Sequence, residues 1–191
     1  MMYKYHKERL DPTTAMNWKE AGRNVFNGFA VMHPRKISNP ITRWRVGKGS
    51  INAFQFSPDQ QSVAIVSQDG CLRIVDVKAD RLIVTLQSYF GALLCVSWSP
   101  DGKYIVTGGE DDLVSIWSVE NKGLVARGEG HSSWVVAVAF DPWVCDEKNR
   151  VYRIGSVGLD LRLLLWDFSL PGLRIPRKVV VCGCDILCIV L

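Results

Sequence analysis

Three prolines stand 42 residues apart: Pro58 in Phe56-Ser57-Pro58-Asp59, Pro100 in Trp98-Ser99-Pro100-Asp101 and Pro142 in Phe140-Asp141-Pro142-Trp143. Helices and strands repeat every few residues, so a period this long must belong to a larger repeated unit. Overlaid on the prolines, each unit opens on an apolar run: Ile51 to Phe56, Leu93 to Trp98 and Trp134 to Phe140. Val135 to Phe140 is apolar throughout, which predicts a strand buried on both faces.

The prolines then mark turns, with Asp101-Gly102 as the clearest turn chemistry. Second strands are predicted at Val63 to Ser67, Tyr104 to Gly108 and Tyr152 to Val157. Tight turns follow at Gln68-Asp69-Gly70, Glu110-Asp111-Asp112 and Gly158-Leu159-Asp160. Third strands are predicted at Cys71 to Val77, Leu113 to Val119 and Leu161 to Phe168, and fourth strands at Leu82 to Leu86 and Leu124 to Arg127. An aspartate stands six residues before a third-strand landmark in every unit: Asp69 before Val75, Asp111 before Trp117 and Asp160 before Trp166. The third unit keeps this relation despite about seven extra residues near Cys145 to Arg150, which read as a longer surface loop. A repeat of ~40–45 residues with four short strands is the length of one propeller blade. The expectation is an all-β propeller, incomplete in this chain: about three four-stranded blades plus part of another. Such a repeat directs the search for function to the rim of the stack.

Gly130-His131 and Trp166-Asp167 match the two signature dipeptides of the WD-repeat family, which the chain resembles. In that family a His, a Ser or Thr, an Asp and a Trp form a hydrogen-bonded set inside a blade. The resemblance implies His131, Ser156, Asp160 and Trp166 here. The second unit keeps Thr107, Asp111 and Trp117 but has Tyr89 at the His position, and the first keeps only Asp69. A longer resemblance runs from Ser88-Tyr89-Phe90-Gly91 to Glu110-Asp111-Asp112-Leu113-Val114, with Asn39-Pro40, Val66 to Gly70, Ala126-Arg127-Gly128 and Ser133-Trp134-Val135. It is similar to the group of the fungal catabolite-repression protein CreC and the animal dystrophia-myotonica-type WD proteins. That resemblance implies a non-catalytic scaffold that binds and activates a ubiquitin-specific protease, often beside a second WD-repeat protein. It also implies that the fourth-to-first strand loops and the second-to-third strand turns line one rim. Phe90 and Trp134 are the predicted partner anchors there, with Tyr89 and Glu110 nearby.

Other classes have less support. His131 could suggest catalysis, but a His with Ser, Asp and Trp at these offsets reads as a satisfied structural network. Gly47-Lys48-Gly49-Ser50 lacks the residues of a phosphate loop. The net charge is +4, and Arg35, Lys36, Arg43, Arg45 and Lys48 read as a solvated linker, so no nucleic-acid partner is expected. No small-molecule substrate and no cofactor are expected either. Cys71 and Cys95 fall in apolar strands, no apolar signal opens the chain, and no Asn-x-Ser/Thr acceptor occurs. These features predict a reducing setting, the cytoplasm first and the nucleus second.

Residues 1–40 are expected to hold a partial blade strand, at Met2-Tyr3-Lys4-Tyr5, and a linker. Blades are expected at about 41–87, 88–130 and 131–170, and an atypical apolar tail with cysteines at 171–191. Val179 to Leu191 is 13 residues and contains Asp185, whereas a spanning helix needs ~20, so no stable membrane insertion is expected. Cys182, Cys184 and Cys188 would form at most an incomplete zinc site, so no metal is expected. Seven blades need roughly 290 residues. The chain therefore reads as a piece of a propeller, and a truncated isoform without a stable partner is the alternative to the protease scaffold.

Overall fold

The computed structural model describes residues 29–32, 42–146 and 151–170. It divides into two units, Met1–Arg45 and Val46–Leu191. In the first, β1 (Ala30–Met32) pairs antiparallel with β2 (Arg43–Arg45), and the Phe29 and Trp44 rings lie 6.3 Å apart. Met2 to Tyr5, expected to be a blade strand, lie outside the described residues.

The second unit holds three antiparallel sheets. The first contains β3 (Ile51–Phe56), β4 (Ser62–Ser67), β5 (Cys71–Asp76) and β6 (Arg81–Gln87), in that spatial order. The second repeats the plan with β7 (Leu93–Trp98), β8 (Tyr104–Gly109), β9 (Leu113–Ser118) and β10 (Gly123–Glu129). The third contains β11 (Val135–Asp146), β12 (Val151–Gly158) and β13 (Leu163–Ser169). Each sheet is a simple meander, so consecutive strands need only short turns.

The 42-residue period is visible in the backbone itself. Each first strand shifts register at the same point: Ile51/Ala53, Leu93/Cys95 and Val135/Ala137. The tight turns place Gly70, Asp112 and Leu161 at φ of +73°, +62° and +64°. These positions are equivalent in the overlay, so the turn demands a left-handed residue whichever side chain stands there. Gly70 suits it twice over, because a Cβ there would come within 2.5 Å of the Gly91 carbonyl oxygen.

In the first two blades the proline turns are closed by serine. Ser99 accepts the Tyr104 amide on its Oγ at 2.9 Å and donates that hydroxyl to Asp101 at 2.7 Å. Ser57 and Asp59 do the same work one blade earlier. The third proline is different. β11 runs through Pro142 to Asp146, so Pro142 lies in a strand rather than in a turn. The extra residues lengthen the β11–β12 hairpin instead of forming only a loop, and they leave Trp143 93% exposed. Val135 and Phe140 are buried, but Val136, Ala137 and Ala139 are exposed. The strand expected to be covered on both faces is covered on one, because among the described residues no further sheet lies over the other.

Two apolar cores join the three blades. The first contains Ala64, Val66, Leu72, Ile74, Leu93, Trp98, Ile105 and Trp117. Gln55 clamps this junction: its Oε1 accepts the Trp98 amide at 2.7 Å, and its carbonyl accepts the Trp98 indole at 3.1 Å. The second core centres on Tyr104, Tyr152 and Phe168, whose ring centroids lie 5.1–5.7 Å apart, while Tyr152 donates to Asp101 at 2.7 Å. Cys95 sits in the second core, and burial pushes its thiol pKa up to about 12, so it acts as a small apolar side chain. Cys71, also buried and unpaired, has its thiol pushed up chiefly by burial as well.

Candidate functional site

The turn after the second strand and the loop before the first strand meet at one end of each blade. In the third blade, His131 brings them together. Its Nε2 lies 2.8 Å from Ser156 Oγ, and its Nδ1 lies 3.0 Å from both oxygens of Asp160. Trp166 donates its indole to Ser156 at 2.8 Å, completing a chain of four residues. The His131 side chain is fully buried. Burial works against the Asp160 carboxylate, but the Ser132 amide, His131 and the Arg162 amide together hold its pKa below the usual range. The indole rests against a stretch of chain that must be bare: a Cβ at Gly130 would come within 2.8 Å of it, and one at Gly128 within 3.0 Å. Every polar atom here is spent on another member of the network, which is the arrangement of a brace.

The first blade makes an equivalent brace from different residues. Arg73, on β5, donates from Nη1 to Ser67 Oγ at 2.7 Å and to Asp69 Oδ1 at 3.0 Å, and from Nη2 to Asp69 Oδ2 at 2.6 Å. The overlay puts Gly47 at the His position, and a Cβ there would come within 3.0 Å of the guanidinium. The space left by a missing imidazole is thus filled by an arginine from another strand. Asp69, which alone of the network was legible in the sequence of this unit, accepts from Arg73, the Ser67 hydroxyl and the Cys71 amide. The Arg73 hydrogen bonds, opposed by burial, lower its pKa to about 2.

The second blade is a third variation. Trp117 donates to Thr107 Oγ1 at 2.9 Å, and Asp111 Oδ1 accepts the Leu113 amide at 3.3 Å. Tyr89, at the His position, is turned outward and is 72% exposed. The buried Arg127 on β10 lies beneath it, with the guanidinium carbon 5.1 Å from the ring centroid.

Beside this brace lie the aromatics picked out as partner anchors. Phe90 is 70% exposed and Trp134 46%. The loop carrying Tyr89 and Phe90 is held at both ends: the Ser88 amide donates to Gly70 O at 2.8 Å, and the Ala92 amide donates to Glu110 Oε2 at 3.0 Å. Gly91 has φ +62°, and a Cβ there would strike Glu110 Cβ at 2.8 Å. Glu110 thus braces the loop that presents the aromatics. Trp134 is fixed by its own backbone, whose carbonyl accepts the Leu159 amide at 2.9 Å. An aromatic ring held on a rigid backbone loses little entropy when a partner covers it. No group of three or more potential metal-ligating residues occurs among the described residues, and Cys182, Cys184 and Cys188 lie outside them. No helix among the described residues is long and apolar enough to cross a membrane.

Residues 39–76 and 81–118 match the model of the WD domain, G-beta repeat. Residues 39–118 thus carry two WD repeats. It is 51% identical over 146 residues to the UBP9-binding protein bun62 of Schizosaccharomyces pombe, a match covering 76% of this chain and 26% of that protein. It is 54% identical over 118 residues to the WD repeat-containing protein 20 homolog of Caenorhabditis elegans, covering 61% of this chain and 15% of that one. The chain therefore spans about a quarter of the length of the first relative and about a seventh of the second. Among solved structures, U3-55K and the RRP9 WD40 repeats each superpose with a TM-score of 0.58 at 21% identity, over 64% of this chain and 37% and 36% of theirs. At that identity the likeness speaks for the fold alone, that of stacked propeller blades.

Proposed function

We propose that this WD-repeat chain is a scaffold that docks and activates a ubiquitin-specific protease, and that Phe90 and Trp134 are its anchors with Tyr89 beside them. The observation that carries the reading is the 51% identity, over 146 residues, to a relative named for binding UBP9. The exposure of three aromatics at one end of neighbouring blades supports the location. Large aromatics on braced loops are the usual hot spots of protein interfaces, because they bury much area at little entropic cost. Glu110 contributes by holding the loop. A second WD-repeat protein alongside, and a cytoplasmic place of action, belong to the same reading.

The test is an equilibrium titration of a purified ubiquitin-specific protease with the 191-residue chain and its Phe90→Ala and Trp134→Ala forms. Each substitution should cost about 2 kcal/mol of binding, roughly thirtyfold in affinity. Both side chains are exposed, so the melting temperature should hardly move. Unchanged affinity in the double variant would overturn the proposal.

A further inference from the structure

The second and third blades use the same position for opposite purposes. Tyr89 and His131 are equivalent in the 42-residue overlay. His131 is buried between Ser156 and Asp160, whereas Tyr89 stands 72% exposed. What separates them is an arginine. In the second blade Arg127 is buried and lies under the Tyr89 ring, its guanidinium carbon 5.1 Å from the ring centroid.

The first blade shows that this is a pattern. There Arg73 occupies the brace, and the equivalent position is Gly47. Arg73 on β5 pairs with Thr85 on β6, and Ser115 on β9 pairs with Arg127 on β10. These are the same two positions of the blade, with the arginine and the small hydroxyl residue exchanged. Each strand thus carries a buried arginine at this level of its blade, Arg73 bonded into the brace and Arg127 under the Tyr89 ring. In both blades that carry such an arginine the His position does not turn an imidazole inward: in one it is Gly47, and in the other it is the exposed Tyr89.

We propose that Arg127 is a positioning residue for partner docking: lying buried beneath Tyr89, it keeps that side chain turned outward and holds its ring at the rim as a contact residue. The inference rests on the docking reading and deepens it. The cation supports one face of the ring, and the other face and the hydroxyl stay open. The matching feature on the protease would be an apolar cleft with a polar group at its end.

The test is a double-variant cycle, read as affinity for the purified ubiquitin-specific protease together with the melting temperature. Arg127→Met should weaken binding about threefold to fivefold. Tyr89→Ala should weaken it at least as much. If Arg127 acts through Tyr89, the combined variant should bind no worse than Tyr89→Ala alone. A role in blade stability alone would make the losses multiply, and that result would overturn the proposal.

Should Arg127→Met fail to fold, Tyr89→His with Arg127→Thr decides the matter. This pair recreates the third blade's layout, with Thr107, Asp111 and Trp117 already in place. It should keep the melting temperature and lose about tenfold in affinity. Wild-type affinity in this form would also overturn the proposal. The two readings fail separately: if Phe90→Ala and Trp134→Ala weaken binding while these variants do not, only the role of Arg127 falls.

Discussion

Asp69 keeps its charge because Arg73 stands over it. Removing that guanidinium would leave a largely enclosed carboxylate and the Ser67 hydroxyl without their main donor. Arg73→Ala should cost about 2 kcal/mol of stability in a urea titration, below the range for fully buried pairs because Asp69 is partly exposed. The pair also sets an acid sensitivity. Asp69 has a folded pKa of about 2, whereas an unfolded aspartate titrates near 4. A depressed folded value stabilises above the unfolded pKa, and the contribution is lost as pH falls through the folded one. The wild-type chain should therefore lose this contribution between about pH 4 and pH 2, and Arg73→Ala should lose much less over the same window. Leu161 offers the opposite experiment. It holds φ +64°, where the equivalent residue of the first blade is Gly70, and it is 97% exposed. Leu161→Gly should raise stability by about 1 kcal/mol in the same titration, since the relief of strain exceeds the entropy added to the unfolded chain. A loss of stability would show that the exposed leucine makes contacts that matter.

The strands carry the clearest legible signal and also the clearest omissions. Prolines, aspartates and apolar runs recur in register, so the positions of Pro58, Pro100, Asp69, Asp111 and Asp160 could be read directly. The brace of the first blade could not be read the same way, because its donor is Arg73 on β5, and neither could the outward turn of Tyr89 over Arg127 in the second. A search for the His position finds Gly47 and Tyr89 and stops. The signal that would have revealed them is the exchange of Arg73/Thr85 for Ser115/Arg127, which becomes meaningful only once strand register is known. Glu110 was legible as a rim residue, but its bond to the Ala92 amide was not. The exposure of Trp143 was not legible, because Pro142 reads as a turn in the 42-residue overlay whereas the hairpin continues through it. Phe168, on β13, joins two tyrosines at the centre of the second core and is fully buried. Phe168→Ala should cost about 3–5 kcal/mol, the range for emptying an aromatic site. Trp143→Ser should stay within about 0.5 kcal/mol, since that ring touches mostly solvent. Thermal unfolding of the two variants side by side would show the contrast.

At the scale of the whole molecule, the three blades bury their facing surfaces and leave apolar side chains on the outer ones. Ile51, Phe54 and Phe56 on β3 are 50–63% exposed, and Leu163 and Leu165 on β13 are 66% and 67% exposed. Their equivalents in the second blade, Val114 and Ile116, are fully buried against the third. Contiguous apolar surface of this kind drives association. The 191-residue chain should therefore sediment as a concentration-dependent mixture, and Leu163→Glu with Leu165→Glu should shift it towards monomer. A wild-type chain that is monomeric at all concentrations, with a sharp melt, would contradict this. The proposed docking of a ubiquitin-specific protease on one rim of these blades is tested most directly by amide hydrogen exchange. With a saturating purified ubiquitin-specific protease, exchange should slow at residues 88–92 and 132–135 while the Ser57 to Ser62 turn at the other end of the blade is unchanged. Protection confined to that turn, or none at all, would contradict the account.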